Sequence, residues 1–375
     1  MPYKHYELPE YPACIDMWDE LANEKRPIVV YGMGNGADKL ISRFEKYGIR
    51  IADFFASDGF VRGHSFHGMR VKSFSEIKSE YSDFVIVLSF ASNKSDVIDM
   101  LLEINNAYDM YVPDMPIAGT EEYFDRNFYN SHITEILAAY SALSDEASRD
   151  AFSAIINYKL SGRMKYLMDA YSSKDEMYDL LDRENIEAVV DAGAYNGDTI
   201  IEAKAYFPRL KKVFAIEPDR KNFKKLAKYS EAEKDIFISL HNCAAWRENS
   251  VGSFFVSGNR NSTAVATASF EHSDEAAEFV KIDSLASEKI DYIKYDVEGA
   301  EDEALCGSRE VINRDRPMLL VSAYHRSKDI FSLVNKLKQE HPFYDIYMRR
   351  LRCIPAWEIN IILIPKRIEK NSVMC

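Results

Sequence analysis

The sequence predicts two α/β domains joined by a helical connector, and three observations carry that prediction. Two short apolar runs each end in a glycine-rich turn and open into a helical pattern: Pro27-Ile-Val-Val-Tyr-Gly-Met-Gly-Asn-Gly-Ala-Asp, and Ala188-Val-Val-Asp-Ala-Gly-Ala-Tyr-Asn-Gly-Asp-Thr. Continuous apolar runs of this length suit strands covered on both faces, as in parallel sheets. Strand and helix patterns alternate after each start. The length of 375 residues is what two domains, or three, require.

The elements follow in order. Residues 1–25 form an N-terminal arm. Residues 26–115 form the first domain, with a strand at Ile28–Tyr31, a helix over Asp38–Lys46 and a strand at Ile49–Phe55. A helix near Ser73–Glu80, a strand at Phe84–Leu88, a helix over Lys94–Asn105 and a last strand beginning at Tyr111 complete it; Pro113 and Pro116 close it. Residues 116–184 carry helical periodicity without strand patterns. Their aliphatic content makes them a packed connector and not a flexible linker. Residues 185–368 resume the alternation, with strands expected at 188–191, 212–216, 236–240, 253–256, 292–295 and 318–322. The run FYDIYMRRLRCIPAWEINIILIPK then reads as an antiparallel hairpin, and 369–375 as a tail.

Composition narrows the function. Hydrophobic residues are 47% and charged residues 29%, ordinary for a globular chain. A net charge of −13 argues against nucleic acid as a partner, since a polyanion is repelled overall. Cys14, Cys243, Cys306, Cys353 and Cys375 form no CxxC pair and no metal-binding spacing, so reduced thiols in the cytoplasm are expected. No stretch approaches the length of a membrane span.

The second glycine turn carries the chemistry. Asp191-Ala-Gly193-Ala-Tyr-Asn-Gly197 lacks the G-x-G-x-x-G spacing of a dinucleotide fingerprint and places a carboxylate at the strand end. An acid there repels phosphate and suits a cation such as the ammonium of S-adenosylmethionine (SAM); the simpler alternative is an Asp that only caps the turn. Gly193 permits close backbone approach, Gly197 permits the tight turn, and Asp198 or Thr199 can cap the helix. Glu217, 26 residues past Asp191, ends the next strand, where a carboxylate holds a ribose diol in doubly wound folds. Asp296, Glu298 and Glu301 leave a later strand together, and His325 follows the strand after it. All of these fall at the sheet edge where open α/β folds bind ligands.

The blocks VVDAGAYNGDT, AIEPDRKNFKKL, KIDSL, DYIKYDVEGAEDEAL, LLVSAYHRSKDIFSL and the closing Trp357-Glu358 resemble the FkbM family of SAM-dependent methyltransferases, in order, over about 185–365. The resemblance implies a class I methyltransferase fold, a Rossmann-like seven-stranded sheet ending in an antiparallel hairpin. It also implies O-methylation, often of sugar hydroxyls in glycans or their precursors. It assigns SAM contacts to Asp191, Gly193, Tyr195, Asp198 and Glu217, with Asn242 and Ala244 near adenine. Catalysis is expected from Asp296, Glu298 and His325, with His325 or Asp296 as the base that takes the hydroxyl proton. Asp296, Glu298 and Glu301 could hold Mg²⁺ or Mn²⁺. The preferred alternative has Asp296 facing SAM and acceptor while Glu298 and Glu301 stabilise the start of the following helix.

The first glycine turn, Gly32-Met-Gly34-Asn-Gly36-Ala37, fits G-x-G-x-x-A in a strand-to-helix context. Asp53 and Asp58 lie where a ribose acid would sit. One alternative is therefore an NAD(P)- or nucleotide-sugar-using enzyme. The preferred reading is a Rossmann-like domain that uses its glycines for packing and serves as an acceptor-docking or dimerisation module. A non-catalytic SAM-binding or docking protein is a further alternative.

Overall fold

The computed structural model describes residues 7–9, 16–61, 63–118, 122–255, 263–265 and 275–367. The expected tail lies outside the described residues, as does part of the arm. The rest of that arm is not separate: a helix at Met17–Asn23 buries Met17, Trp18 and Leu21 in the core of the first domain.

The first domain is a five-stranded parallel sheet. Its strands are β1 (Ile28–Tyr31), β2 (Ile51–Ala56), β3 (Lys72–Ser73), β4 (Val85–Leu88) and β5 (Asp109–Tyr111), in the order β3-β2-β1-β4-β5. All four residues of β1 and of β4 are buried, as continuous apolar runs require. The helices Asn35–Tyr47 and Ser95–Ala107 follow β1 and β4. The first starts at Asn35, earlier than the apolar spacing implied, because Gly34 with φ +98° turns the chain directly into it.

Among the described residues the connector forms five helices, of which Glu146–Ser161 is the longest and mostly buried. One contiguous core runs from Tyr31 and Phe55 of the first sheet, through Phe152 and Ile155 of this helix, to Ile346 and Leu363 of the second sheet. The connector residues thus form a packed layer in this core.

The second domain is a seven-stranded sheet of β6 (Ala188–Ala192), β7 (Lys212–Ile216), β8 (Phe237–His241), β9 (Tyr292–Tyr295), β10 (Met318–Ser322), β11 (Tyr344–Arg350) and β12 (Ile359–Pro365). The order is β8-β7-β6-β9-β10-β12-β11, with β12 antiparallel to both neighbours. This is the class I methyltransferase arrangement, including the C-terminal hairpin read from the sequence. The strand expected at 253–256 is present over Ser250–Phe255, with 256 outside the described residues, but it does not join this sheet. Ser250–Phe255 pairs with Thr263–Val265 and Glu275–Val280 in a separate small sheet inserted between β8 and β9.

Candidate active site

Register alone brings the chemistry together. Ala192 of β6 pairs with Ile216 of β7 and Tyr295 of β9, so the next residues, Gly193, Glu217 and Asp296, emerge side by side at one sheet edge. Ser322 at the end of β10 pairs with Asn360 of β12, bringing Glu358 and Asn360 to the same edge. A cavity of about 710 Å³ opens there.

Gly193 is required at its position. It has φ +93°, and a Cβ would stand 1.9 Å from the carbonyl oxygen of Asp296. Only glycine lets the ends of β6 and β9 approach this closely. Gly197, φ +95°, begins the helix Asp198–Tyr206 with no side-chain cap, and a Cβ there would meet the Tyr229 ring at 2.7 Å. The expected capping is therefore corrected: exposed Asp198 accepts only from the Thr199 amide, and the Thr199 hydroxyl donates to Asp191 Oδ2. Asp191 Oδ1 is buried and has no hydrogen-bond partner among the described residues, standing 3.8 Å from Lys294 Nζ. Burial pushes the Asp191 carboxyl up, against Lys294.

Glu217 is buried, accepting the Tyr195 amide (2.9 Å) on one oxygen and the Asp219 amide (2.9 Å) on the other. Burial pushes it to about 8 despite these donors. Asn242 departs from expectation: its side-chain amide donates to the carbonyls of Glu217 (2.8 Å) and Pro218 (3.2 Å), bracing the turn. Ala244 lines the cavity.

The acidic corner is built on β9 and β10. Lys294 Nζ lies 3.2 Å from Asp296 Oδ2, and Tyr324 donates to Asp296 Oδ1 at 3.0 Å. Burial alone would raise Asp296, but Lys294 and His325 outweigh it and hold the carboxyl at about 2. Glu298, with φ +54°, faces the cavity, and burial, opposed by His325, sets it at about 7. Glu301 turns inward and its Oε1 accepts the Val297 and Gly299 amides at 3.0 and 3.4 Å. Both amides precede the helix Glu301–Cys306, so Glu301 closes its own loop while Glu298 faces the cavity.

His325 is wholly enclosed and does not line the cavity. The connector crosses its backbone, with the amides of Ile117 and Ala118 donating to the His325 carbonyl at 3.1 and 2.9 Å. Burial would lower the ring, yet Glu301, Glu298 and Asp296 hold it at about 10. As the base that removes a proton from an acceptor in the cleft, His325 is misplaced; Asp296 and Glu298 are the groups that reach it.

Sequence reasoning missed Lys294, Glu358 as a cavity residue, and Asn93. Lys294 had a signal: a lone cation inside an apolar strand two residues before Asp296. Asn93 had none. It belongs to the first domain and reaches the cavity because Ser92 and Ile354 exchange two backbone hydrogen bonds of 2.7 and 2.9 Å.

The first glycine turn is built differently. A Cβ on Gly36 would stand 2.0 Å from the Ser89 carbonyl oxygen, and one on Gly32 would meet Ser89 and Phe90 at 2.7 and 2.8 Å. Asp53 is engaged by Lys72 and Tyr81, and Asp58 accepts from the Ser75 amide and hydroxyl. Gly32 and Gly36 thus pack against the end of β4, Gly34 faces open space, and both acids already hold side-chain partners.

The strand order, with its cleft at the carboxyl edge, defines the class I methyltransferase fold. Residues 191–352 match the family model described as Methyltransferase FkbM domain. Residues 191–352 thus carry an FkbM methyltransferase domain. Its fold is similar over nearly its whole length to the crystal structure of methyltransferase FkbM from Methylobacillus flagellatus KT. That match has a TM-score of 0.66 and 19% identity and covers 93% of this chain and 94% of that one. An rRNA methylase from Streptococcus thermophilus is matched with a TM-score of 0.33 and 16% identity, over 52% of this chain and 98% of that one. Aeropyrum pernix fibrillarin, solved with natively bound S-adenosyl-L-methionine, is matched with a TM-score of 0.32 and 12% identity, over 49% of this chain and 69% of that one. No curated protein matches the sequence. Among the described residues, no helix is long and apolar enough to cross a membrane.

Proposed function

We propose that the protein transfers the SAM methyl group to a hydroxyl of a neutral polyol, a sugar of a glycan or glycan precursor. The carrying observation is the pair of cleft-facing carboxylates, Asp296 and Glu298, on the strand beside the SAM turn. The residues fit SAM: Asp191 Oδ1 is a buried acceptor without a partner among the described residues, Gly193 forms a close backbone cradle, and Glu217 is a carboxylate at the second strand tip. Asp191 would hold the ammonium end and Glu217 the ribose hydroxyls. SAM supplies a methyl group on a positively charged sulfur. The chain's task is to hold the acceptor oxygen in line with that carbon and receive the hydroxyl proton. A carboxylate of Asp296 or Glu298 is in place to do so.

The acceptor class follows from the lining. Asp296, Glu298 and Glu358 make an acidic wall that repels phosphate and carboxylate acceptors. Asn93, Lys174 and Asn360 offer donors and acceptors suited to several hydroxyls. Asn93 comes from the first domain and Lys174 from the connector, so the acceptor is gripped by all three layers. The test is transfer of label from [methyl-³H]SAM to a panel of methyl glycosides and oligosaccharides, with NAD(H) and NADP(H) binding measured in parallel. Nicotinamide binding without SAM binding would refute the reading.

A further inference from the structure

The acidic corner contains a feature that acceptor binding does not require. His325 is buried, and its Nε2 has no hydrogen-bond partner among the described residues. Nδ1 stands 3.0 Å from Glu301 Oε1. Nε2 faces Glu298 Oε2 at 3.5 Å and Asp296 Oδ1 at 3.7 Å, too far to bond well to either. A buried imidazole nitrogen aimed between two carboxylate oxygens, and joined to neither, is costly unless something sits between them.

We infer that His325 Nε2, Asp296 Oδ1 and Glu298 Oε2 form a divalent-cation site at the wall of the cleft, with Glu301 orienting the imidazole from behind. Metal–ligand bonds of about 2.1 Å at a tetrahedral angle separate ligand atoms by about 3.4 Å. The two separations from Nε2 are 3.5 and 3.7 Å. The donor atoms of Asp296, Glu301 and His325 all fall within 4.8 Å of one another, and Glu298 enters this cluster only through its 3.5 Å approach to Nε2. Glu301 belongs behind the site and not in it, because its Oε1 already receives two backbone amides and faces Nδ1. A carboxylate on the far nitrogen is how metal-binding histidines are commonly oriented.

The other charges are compatible with this arrangement. Lys294 pairs with Oδ2 of Asp296, leaving Oδ1 to Tyr324 and the site. Three protein ligands leave a position open toward the cavity, as catalytic sites do. Imidazole in the donor set favours Mn²⁺ or Zn²⁺ over Mg²⁺.

The inference rests on the O-methyl-transfer reading for its purpose. An acceptor hydroxyl at the open position is more readily deprotonated. Its proton passes to the free oxygen of Glu298. The new O–C bond forms as the C–S bond breaks, and the sulfonium becomes a neutral thioether. No oxidant or reductant is needed.

The test uses the whole protein stripped with EDTA and titrated with Mn²⁺ by electron paramagnetic resonance and calorimetry, with Zn²⁺ as competitor. One site per chain is expected. Glu298→Gln should weaken it at least tenfold, His325→Asn should abolish it, and Asp302→Asn, one residue beyond Glu301, should leave it unchanged. Absence of stoichiometric binding overturns the inference; the ring is then an imidazolium filling the same place. Binding that Glu298→Gln leaves intact overturns it equally. Because Glu298 is about one-third exposed, that variant carries the test if His325→Asn misfolds. SAM affinity of the stripped protein is measured alongside. Absence of Mn²⁺ binding by the wild-type protein with SAM binding intact refutes the metal site alone, whereas absence of SAM binding refutes the methyl-transfer reading.

Discussion

Glu217 should trade stability for ligand binding, and pH exposes the trade. Its carboxyl sits at about 8 in the folded protein against an ordinary 4.5, because burial outweighs the Tyr195 and Asp219 amides. Between those two values the unfolded chain has released the proton and the folded chain still holds it, so stability falls as pH rises. Each pH unit costs about 1.4 kcal/mol, giving a ceiling of about 5 kcal/mol across the window. Local relaxation and water entry reduce this to about 2–5 kcal/mol. Glu217→Gln removes the titration. Its single side-chain oxygen satisfies only one of the two amides, which costs about 1–3 kcal/mol at any pH. Without ligand, the variant should therefore be the less stable protein at pH 5, and wild type should lose about 2–5 kcal/mol relative to it by pH 9. Urea unfolding at pH 5, 7 and 9 measures this. SAM affinity should show the converse. It should rise with pH toward 8 in wild type, as the carboxylate that accepts the ribose hydroxyls forms, and stay flat and at least tenfold weaker in Glu217→Gln. Parallel pH profiles of stability for the two proteins would refute the reasoning.

Other perturbations test other parts of the cleft. Lys294→Met leaves Asp191 and Asp296 facing each other without their cation and should cost about 3–5 kcal/mol in urea unfolding, with Asp191→Asn restoring part of the loss. Gly193→Ala places a methyl 1.9 Å from the Asp296 carbonyl oxygen at φ +93°, so calorimetry should find SAM binding lost even where circular dichroism shows the fold retained. Asn93→Ala should leave the SAM dissociation constant within twofold while raising the acceptor KM severalfold; an equal change in both would place Asn93 outside the acceptor region.

The fold was legible because its signals are local. Continuous apolar runs identified β1, β4, β6 and β10, and the alternating runs around Cys353 identified the hairpin. The small inserted sheet was not legible: Ser250–Phe255 looks like any other strand, and its partners decide which sheet it joins. Asp191, Gly193 and Glu217 could be placed at the site because strand ends in a parallel sheet share one edge. Whether a side chain turns toward the cleft was not readable. Glu298 and Glu301 are three residues apart, yet one faces the cavity and the other caps its own loop. The positive φ of Glu298 and of Gly299 reverses the chain between them. Asn93 was invisible because its place depends on a backbone pairing between residues 262 positions apart.

The two glycine turns show what such a motif encodes. Gly36 in the first and Gly193 in the second each sit under a carbonyl oxygen at the end of a neighbouring strand, Ser89 at 2.0 Å and Asp296 at 1.9 Å from a would-be Cβ. The device is the same although the glycine spacing differs: it lets one strand end press against another. What differs is what the neighbouring strand brings to the contact. β4 brings Ser89 and Phe90, which fill the space above the turn. β9 brings Lys294 and Asp296 to a cavity floored by Asp191 and Glu217. A glycine-rich turn therefore predicts close approach, and the polar groups on the adjacent strands decide whether a ligand occupies it. That is why the second turn, with the weaker match to a nucleotide fingerprint, is the one that carries the chemistry.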